Sequence, residues 1–185
     1  EENKSAEVVK MVTSLSDFFR TTLSKGHDYI TVKEERTHIE SYLEIQQFRY
    51  QDILDYEIQM DEEIYGYIIP KLTLQPLVEN ALYHGIKNKR GKGKILITGK
   101  KQGDKIIFQV IDNGKGMTEE ELNSLRKKMA GTDTGDEAKG FGVSNVNQRI
   151  KYYYGEEYGV FFESKENEGT NATIIIAAKN IQLPS

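Results

Sequence analysis

The spacing of hydrophobic residues changes once along this chain, near residue 53, and that change limits the folds open to it. Upstream, Val8, Val12, Leu15, Phe19 and Leu23 recur at intervals of three and four, the mark of one apolar face on a helix. Lys25-Gly26-His27-Asp28 interrupts it. Thr31-Val32-Lys33-Glu34 then forms a capping box, and the helix it opens carries Ile39, Tyr42, Leu43 and Gln46 on one side. The first fifty residues hold one glycine and no proline, and they read as a helical hairpin. The hairpin is either a segment of its own, residues 1–52, or part of the core of a single domain.

Downstream the pattern is mixed. A strand is expected over 53–58 and a helix after Pro70, over 74–84. Residues 94–100 and 105–111 alternate as a hairpin across Gln102-Gly103-Asp104. Thr118, with Glu121, caps a charged helix running to about Met129, and 130–142 is glycine-rich and polar, a mobile loop signature. A helix over 143–153 and strands over 160–164 and 171–177 complete the chain. Strands and helices mix without strict alternation, which predicts an α+β class, a two-layer α/β sandwich preceded by the hairpin, rather than a doubly wound parallel sheet.

Composition narrows the chemistry. A net charge of −4 gives no basic footprint for nucleic acid. With no cysteine there is no disulfide, thiolate metal site or cysteine nucleophile. No apolar run approaches the roughly 20 residues of a membrane helix, so no membrane contact is expected of this stretch. The first residue is Glu1 rather than Met, and the chain reads as a piece of a longer protein.

Four clusters are candidates for a site. In Leu74-Gln75-Pro76-Leu77-Val78-Glu79-Asn80-Ala81-Leu82-Tyr83-His84-Gly85, an apolar helical face carries a Glu-Asn pair; Asn80 can offer Mg²⁺ a neutral hard oxygen, or the pair can be ordinary surface. In Val110-Ile111-Asp112-Asn113-Gly114-Lys115-Gly116-Met117, a strand ends on an Asp and turns through alternate glycines, which let a flat ligand approach closely, or which simply make a turn. Gly140-Phe141-Gly142-Val143 precedes a helix whose free N–H groups can meet phosphate. Gly169-Thr170 opens the last strand and is uninformative alone.

The order of these clusters resembles the Bergerat ATP-binding fold shared by DNA gyrase, the heat-shock chaperone of that superfamily, histidine kinases and the mismatch-repair ATPase, over about residues 65–180. Within that group the chain is similar to LytS/YesM-type sensor histidine kinases. The likeness lies in Ser14-Leu15-Ser16-Asp17-Phe18-Phe19-Arg20, Thr31-Val32-Lys33-Glu34-Glu35, Tyr42-Leu43-Glu44-Ile45-Gln46, Phe48-Arg49-Tyr50 and the run from Pro70 to Ala81. The family's Asn-Pro-His-Phe segment, whose histidine accepts the phosphoryl group, is missing, and the chain reads as beginning just after it.

The resemblance implies that Asn80 holds Mg²⁺, with Glu79 contributing through water, and that Asp112 accepts from the adenine amine. Gly114, Gly116 and Met117 shape the adenine pocket, Gly140, Phe141, Gly142 and Val143 meet the phosphates, and Thr170 supports adenine through water. Many histidine kinases place a Lys three residues after the metal Asn; here that residue is Tyr83, followed by His84, with Lys87 a turn on as a substitute. His84 is either a phosphate contact or a packed core histidine. His38, among charged residues, is expected to face solvent, and His27 lies in a turn.

The implied activity is transfer of the ATP γ-phosphoryl group to an upstream histidine, on the same or a partner protomer of a homodimer, and then to a response-regulator receiver domain. Residues 1–52 would end the dimerisation and phosphoacceptor region, and 53–185 would be the catalytic domain, cytoplasmic and belonging to a membrane sensor. The alternatives are a hydrolytic ATPase or a sigma-factor-binding serine kinase of the same superfamily. Hydrolytic members place a general-base Glu one turn before the metal Asn, where this chain has Pro76.

Overall fold

In the computed structural model, which describes residues 2–22, 28–50, 53–89, 91–131 and 141–179, two helices lead into a five-stranded sheet covered on one face. The elements are α1 (Glu2–Thr22), β1 (Tyr29–Thr31), α2 (Val32–Arg49), β2 (Leu54–Met60), β3 (Ile68–Pro70), α3 (Gln75–Asn80), β4 (Gly93–Gln102), β5 (Lys105–Asp112), α4 (Glu119–Met129), α5 (Phe141–Tyr154), β6 (Gly159–Lys165) and β7 (Gly169–Ala177). The sheet order is β2-β4-β5-β7-β6; β2 runs parallel to β4 and the other pairs are antiparallel.

Alternation along the strands decides which face is covered. Ile95 and Ile97 of β4, Ile106, Phe108 and Val110 of β5, and Ala172, Ile174 and Ile176 of β7 are all buried. They share one core with Leu77, Val78 and Leu82 from α3 and the turn after it, and with Val143, Val146 and Ile150 of α5. The cross-strand row Thr98, Gln109, Thr173 occupies the other, more open face. This is the expected two-layer α+β sandwich with its helical hairpin. Both capping boxes form: Thr31 with Glu34 on α2, and Thr118 with Glu121 on α4.

α2 is tied into the layer that carries the sheet at several points. β1, just before it, pairs with β3, and Val32 N–H donates to Tyr67 O at 2.9 Å. The buried Glu35 carboxylate accepts from Leu72 N–H at 3.0 Å and Leu74 N–H at 2.7 Å. That pair of bonds clasps a loop in which Leu72 takes a φ of 58, a conformation a β-carbon disfavours and the surroundings must hold.

One expectation about the hairpin is corrected, and the apolar face of α1 is left open: Val12, Leu15 and Phe19 remain 61%, 39% and 50% exposed. α1 instead meets α2 through Ser14, which donates to the Glu44 carboxylate, and Phe18, whose ring stacks on His38 at 4.8 Å. The Phe18 ring also lies 6.1 Å from that of Tyr42, so the contact is part apolar and part polar, and the apolar stripe is left outward. Val8 and Leu23 lie outside the residues whose side chains are described. His38, expected in solvent, is fully buried: Phe18 covers one side, and its Nε2 meets Gln75 Oε1 at 2.5 Å.

The helix expected over 74–84 is interrupted. α3 is regular to Asn80, widens into a π turn over Ala81–Gly85 and tightens into a 3₁₀ turn over Ile86–Asn88. Such single wide turns re-aim the side chains that follow and recur at functional sites.

Candidate functional site: a cleft between α3 and α4

A charged residue closes the apolar row of β5. Asp112 follows Ile106, Phe108 and Val110 at intervals of two, so it points inward with them and is 5% exposed. Its Oδ1 accepts from Gly114 N–H at 2.8 Å. Burial pushes its carboxyl up to about 6, against the pull of the Gly114 and Thr170 backbone N–H groups and of Lys89.

Close packing of backbone makes room for that carboxylate. A Cβ on Gly85 would lie 2.5 Å from Asp112 Oδ1, and one on Gly114 would lie 2.4 Å from the Gly85 backbone. Gly116 has a φ of 64, and a Cβ there would fall 1.9 Å from Lys165 O. The turn is locked from the far side by Met117 N–H donating to Ser164 Oγ at 2.9 Å. Ser164 Oγ in turn lies 2.9 Å from Thr170 Oγ1, and Thr170 sits opposite Asp112 in the β5–β7 register.

These residues open onto a cleft of about 300 Å³. Asp112, Gly116, Met117 and Thr170 form its floor, Asn80, His84 and Gly85 one wall, and α4 the other. His84 is exposed on that wall and is not a core histidine. Gly142 and Val143 stand at the start of α5: a Cβ on Gly142 would lie 3.2 Å from Pro76 Cβ, so this end of α5 abuts α3, and Val143 is buried. Gly140 and the expected loop over 132–139 lie outside the described residues, as does the Phe141 side chain.

Five described candidates, Glu79, Lys87, Gly114, Gly142 and Val143, are not among the cleft-lining residues. Lys87 has its Nζ 4.9 Å from the Tyr83 ring centroid and 5.2 Å from that of Tyr50. Glu79, beside Asn80, accepts from Gln75 Nε2 at 2.8 Å. The cleft instead includes Gly85, Lys115, Glu121, Ser124, Leu125 and Lys128, none of which the sequence reading assigned to it. Glu121, Ser124 and Lys128 recur at three and four along α4, so a common face was there to be read. Lys115 stood inside the Asp-x-Gly-x-Gly turn itself.

The cleft thus has a buried carboxylate at its base and an Asn-bearing helix on its wall. Residues 70–180 match the family model described as histidine kinase-, DNA gyrase B-, and HSP90-like ATPase, and residues 1–54 match the model described as histidine kinase. The chain belongs to this histidine kinase-, DNA gyrase B- and HSP90-like ATPase family. Its similarity runs to sensor histidine kinases of the LytS and YesM type. It is 34% identical over 178 residues to sensor histidine kinase YesM of Bacillus subtilis (strain 168), covering 96% of this chain and 29% of that protein. It is 28% identical over 170 residues to sensor histidine kinase BtsS of Escherichia coli (strain K12), covering 92% and 28%. The chain thus spans less than a third of the length of these relatives. Among solved structures, the catalytic domain of histidine kinase ThkA matches with a TM-score of 0.61 over 83% of this chain and 97% of that one, at 19% identity, a likeness of fold.

Proposed function

We propose that this chain is the ATP-binding catalytic part of a sensor histidine kinase, which transfers the γ-phosphoryl group of ATP to a histidine on a segment upstream and through it to a response-regulator receiver domain. Asp112 accepts a hydrogen bond from the adenine amine, at a position that the backbone packing of Gly114 and Gly116 fixes, and Thr170 supports that contact through water. Asn80 presents a neutral carboxamide oxygen on the cleft wall, a donor that suits Mg²⁺ shared with phosphate oxygens, and Glu79 contributes through water. When bound, Mg²⁺ neutralises charge developing on the phosphates. His84, Lys115 and Lys128 stand on the same walls as further phosphate contacts.

The single observation that carries transfer over hydrolysis is Pro76. One turn before Asn80, where a hydrolytic relative needs a general base, this chain has a side chain that accepts no proton and packs against Gly142. The chemistry left to the site is positioning and charge stabilisation. An imidazole nitrogen forms its bond to the γ-phosphorus as the bond to the β–γ bridging oxygen breaks; ADP leaves and the imidazole N–H proton is released.

The outward stripe of Val12, Leu15 and Phe19 on α1 supports pairing of two copies, with the acceptor helix on the same or the partner protomer. No helix among the described residues is long and apolar enough to cross a membrane, in keeping with a cytoplasmic part of a membrane sensor.

Incubation with γ-labelled ATP, alone and with a histidine-bearing helix from the upstream region supplied in trans, tests the reading. Acid-labile label is expected on the supplied helix, with the buried His38 unlabelled. Rapid release of inorganic phosphate that is indifferent to the acceptor, with no labelled helix, would overturn it in favour of hydrolysis.

A further inference from the structure

A run of contacts links α1 to the helix that carries Asn80. Phe18 stacks on His38 at 4.8 Å with the rings 17° from parallel. His38 Nε2 lies 2.5 Å from Gln75 Oε1, and Gln75 Nε2 lies 2.8 Å from Glu79 Oε1. Glu79 precedes Asn80. The polarity of this run is fixed at its end: a carboxylate only accepts, so the Gln75 amide presents its NH₂ to Glu79 and its carbonyl to His38. His38 must then donate from Nε2, which leaves Nδ1 as a lone pair. Nδ1 is buried and has no hydrogen-bond partner among the described residues.

That arrangement is costly as mere packing. A buried unpaired nitrogen destabilises, and a phenylalanine would fill the same space against Phe18 without it. What the imidazole supplies that an apolar ring cannot is the N–H held on Gln75. α3 needs such support, because it has six residues before the π turn and so few helical hydrogen bonds of its own. Gln75 and Glu79 lie four apart on one face, and Asn80 is the next position round. Fixing that face therefore fixes the direction in which the Asn80 carboxamide points.

We propose that His38 and Gln75 are positioning residues for the metal-nucleotide site: together they set the rotation of α3 so that Asn80 faces the cleft, and they tie that rotation to α1 through Phe18. This rests on the reading of Asn80 given above. Glu35, on the same face of α2 one turn earlier, holds the loop into α3 by its two backbone bonds and so fixes the near end of the same short helix.

The test compares ATP affinity with Mg²⁺ and with EDTA, on the full chain, in His38→Phe, Gln75→Met, the double variant and His38→Gln. His38→Phe keeps the stacked ring and drops the N–H. Gln75→Met keeps the length of a half-exposed side chain and drops both bonds, so it stands in if His38→Phe fails to fold. Each single variant is expected to lose about fivefold of the Mg²⁺-dependent gain in affinity, with the EDTA affinity held within about twofold, because the Asp112 end is untouched. The double variant should be no worse than Gln75→Met, and His38→Gln, which restores a donor, should recover most of the gain. A side chain that served stability alone would lower the melting temperature and leave the ratio of the two affinities where it was. An unchanged ratio in both single variants, beside an Asn80→Ala variant that has lost it, overturns the relay and leaves the proposed function standing. An Asn80→Ala variant that keeps the full Mg²⁺ gain removes the role assigned to Asn80, and the relay with it.

Discussion

A Cβ on Gly114 would lie 2.4 Å from the backbone of Gly85, so the turn after β5 and the π turn after α3 touch with no side chain between them. Both glycines also border Asp112 Oδ1, and this contact fixes the position of the carboxylate within the cleft.

Gly114→Ala is therefore expected to cost stability and binding together. The obstructing atoms are backbone and cannot swing aside, so the loss should be about 1–3 kcal/mol, the range for overpacking. Gly66→Ala is the control, since nothing lies within 4 Å of its Cβ position. Denaturant melts of the two variants check the contrast, and Gly66→Ala should stay within about 0.5 kcal/mol of the parent chain.

Asp112 should choose the base. Adenine offers it an amine, whereas guanine offers a carbonyl oxygen at that position. Losing a charge-assisted hydrogen bond costs about 1.5–3 kcal/mol, or about tenfold to a hundredfold in affinity. Calorimetry should show ATP preferred to GTP by that factor, and Asp112→Asn should weaken ATP by a similar amount. Equal affinities for the two nucleotides would remove the assignment.

The same carboxyl gives binding a pH dependence. Burial holds it at about 6 in the free protein, above the ordinary 3.8, and the adenine amine prefers the carboxylate. Affinity should be level above about pH 6 and fall below it, by at most about tenfold per pH unit. Titrations of the parent chain against Asp112→Asn isolate this group from protonation of the nucleotide, and the variant should lack the bend near 6.

Glu35 makes a separate prediction for stability. Burial pushes it up to about 7 from 4.5, against the Leu74, Leu72 and Thr73 backbone bonds and Arg149. A folded value above the unfolded one means its contribution is complete below pH 4.5 and is lost as pH rises to about 7. His38, held below its usual range chiefly by burial, acts oppositely: its contribution is complete above 6.5 and fades as pH falls. Glu35→Gln should flatten the curve between 4.5 and 7. At pH 5 the variant should be about 1–3 kcal/mol less stable than the parent, because an amide NH₂ then faces a backbone N–H. Thermal melts across that range decide it.

Much of this fold was legible because local rules and tertiary structure agree. The alternation that ends on Asp112 gave both the β5 strand and the inward carboxylate, and the two Thr-x-x-Glu boxes marked the helix starts. The π turn at Ala81–Gly85 was not legible, since nothing in Ala-Leu-Tyr-His-Gly distinguishes a wide turn from a regular one. His38 was misread because its sequence neighbours are charged. Its burial is decided by Phe18 and Gln75, distant along the chain, which local pattern does not register. The α1 stripe shows the converse: spacing found the apolar face but not which surface covers it. Lys87 was assigned to phosphate by its distance along the helix, and the tightening after Gly85 carries it instead to Tyr50 and Tyr83.

The β1–β3 ladder and the Glu35 clasp bear on where this protein can be cut and rejoined. A chimera spliced at residue 53, where the hydrophobic period changes, would separate Ile30 from Ile69 and leave Leu72 and Leu74 without their acceptor. A graft that keeps these contacts joins ahead of Tyr29, so that β1 and α2 stay with the sheet and the cleft they brace.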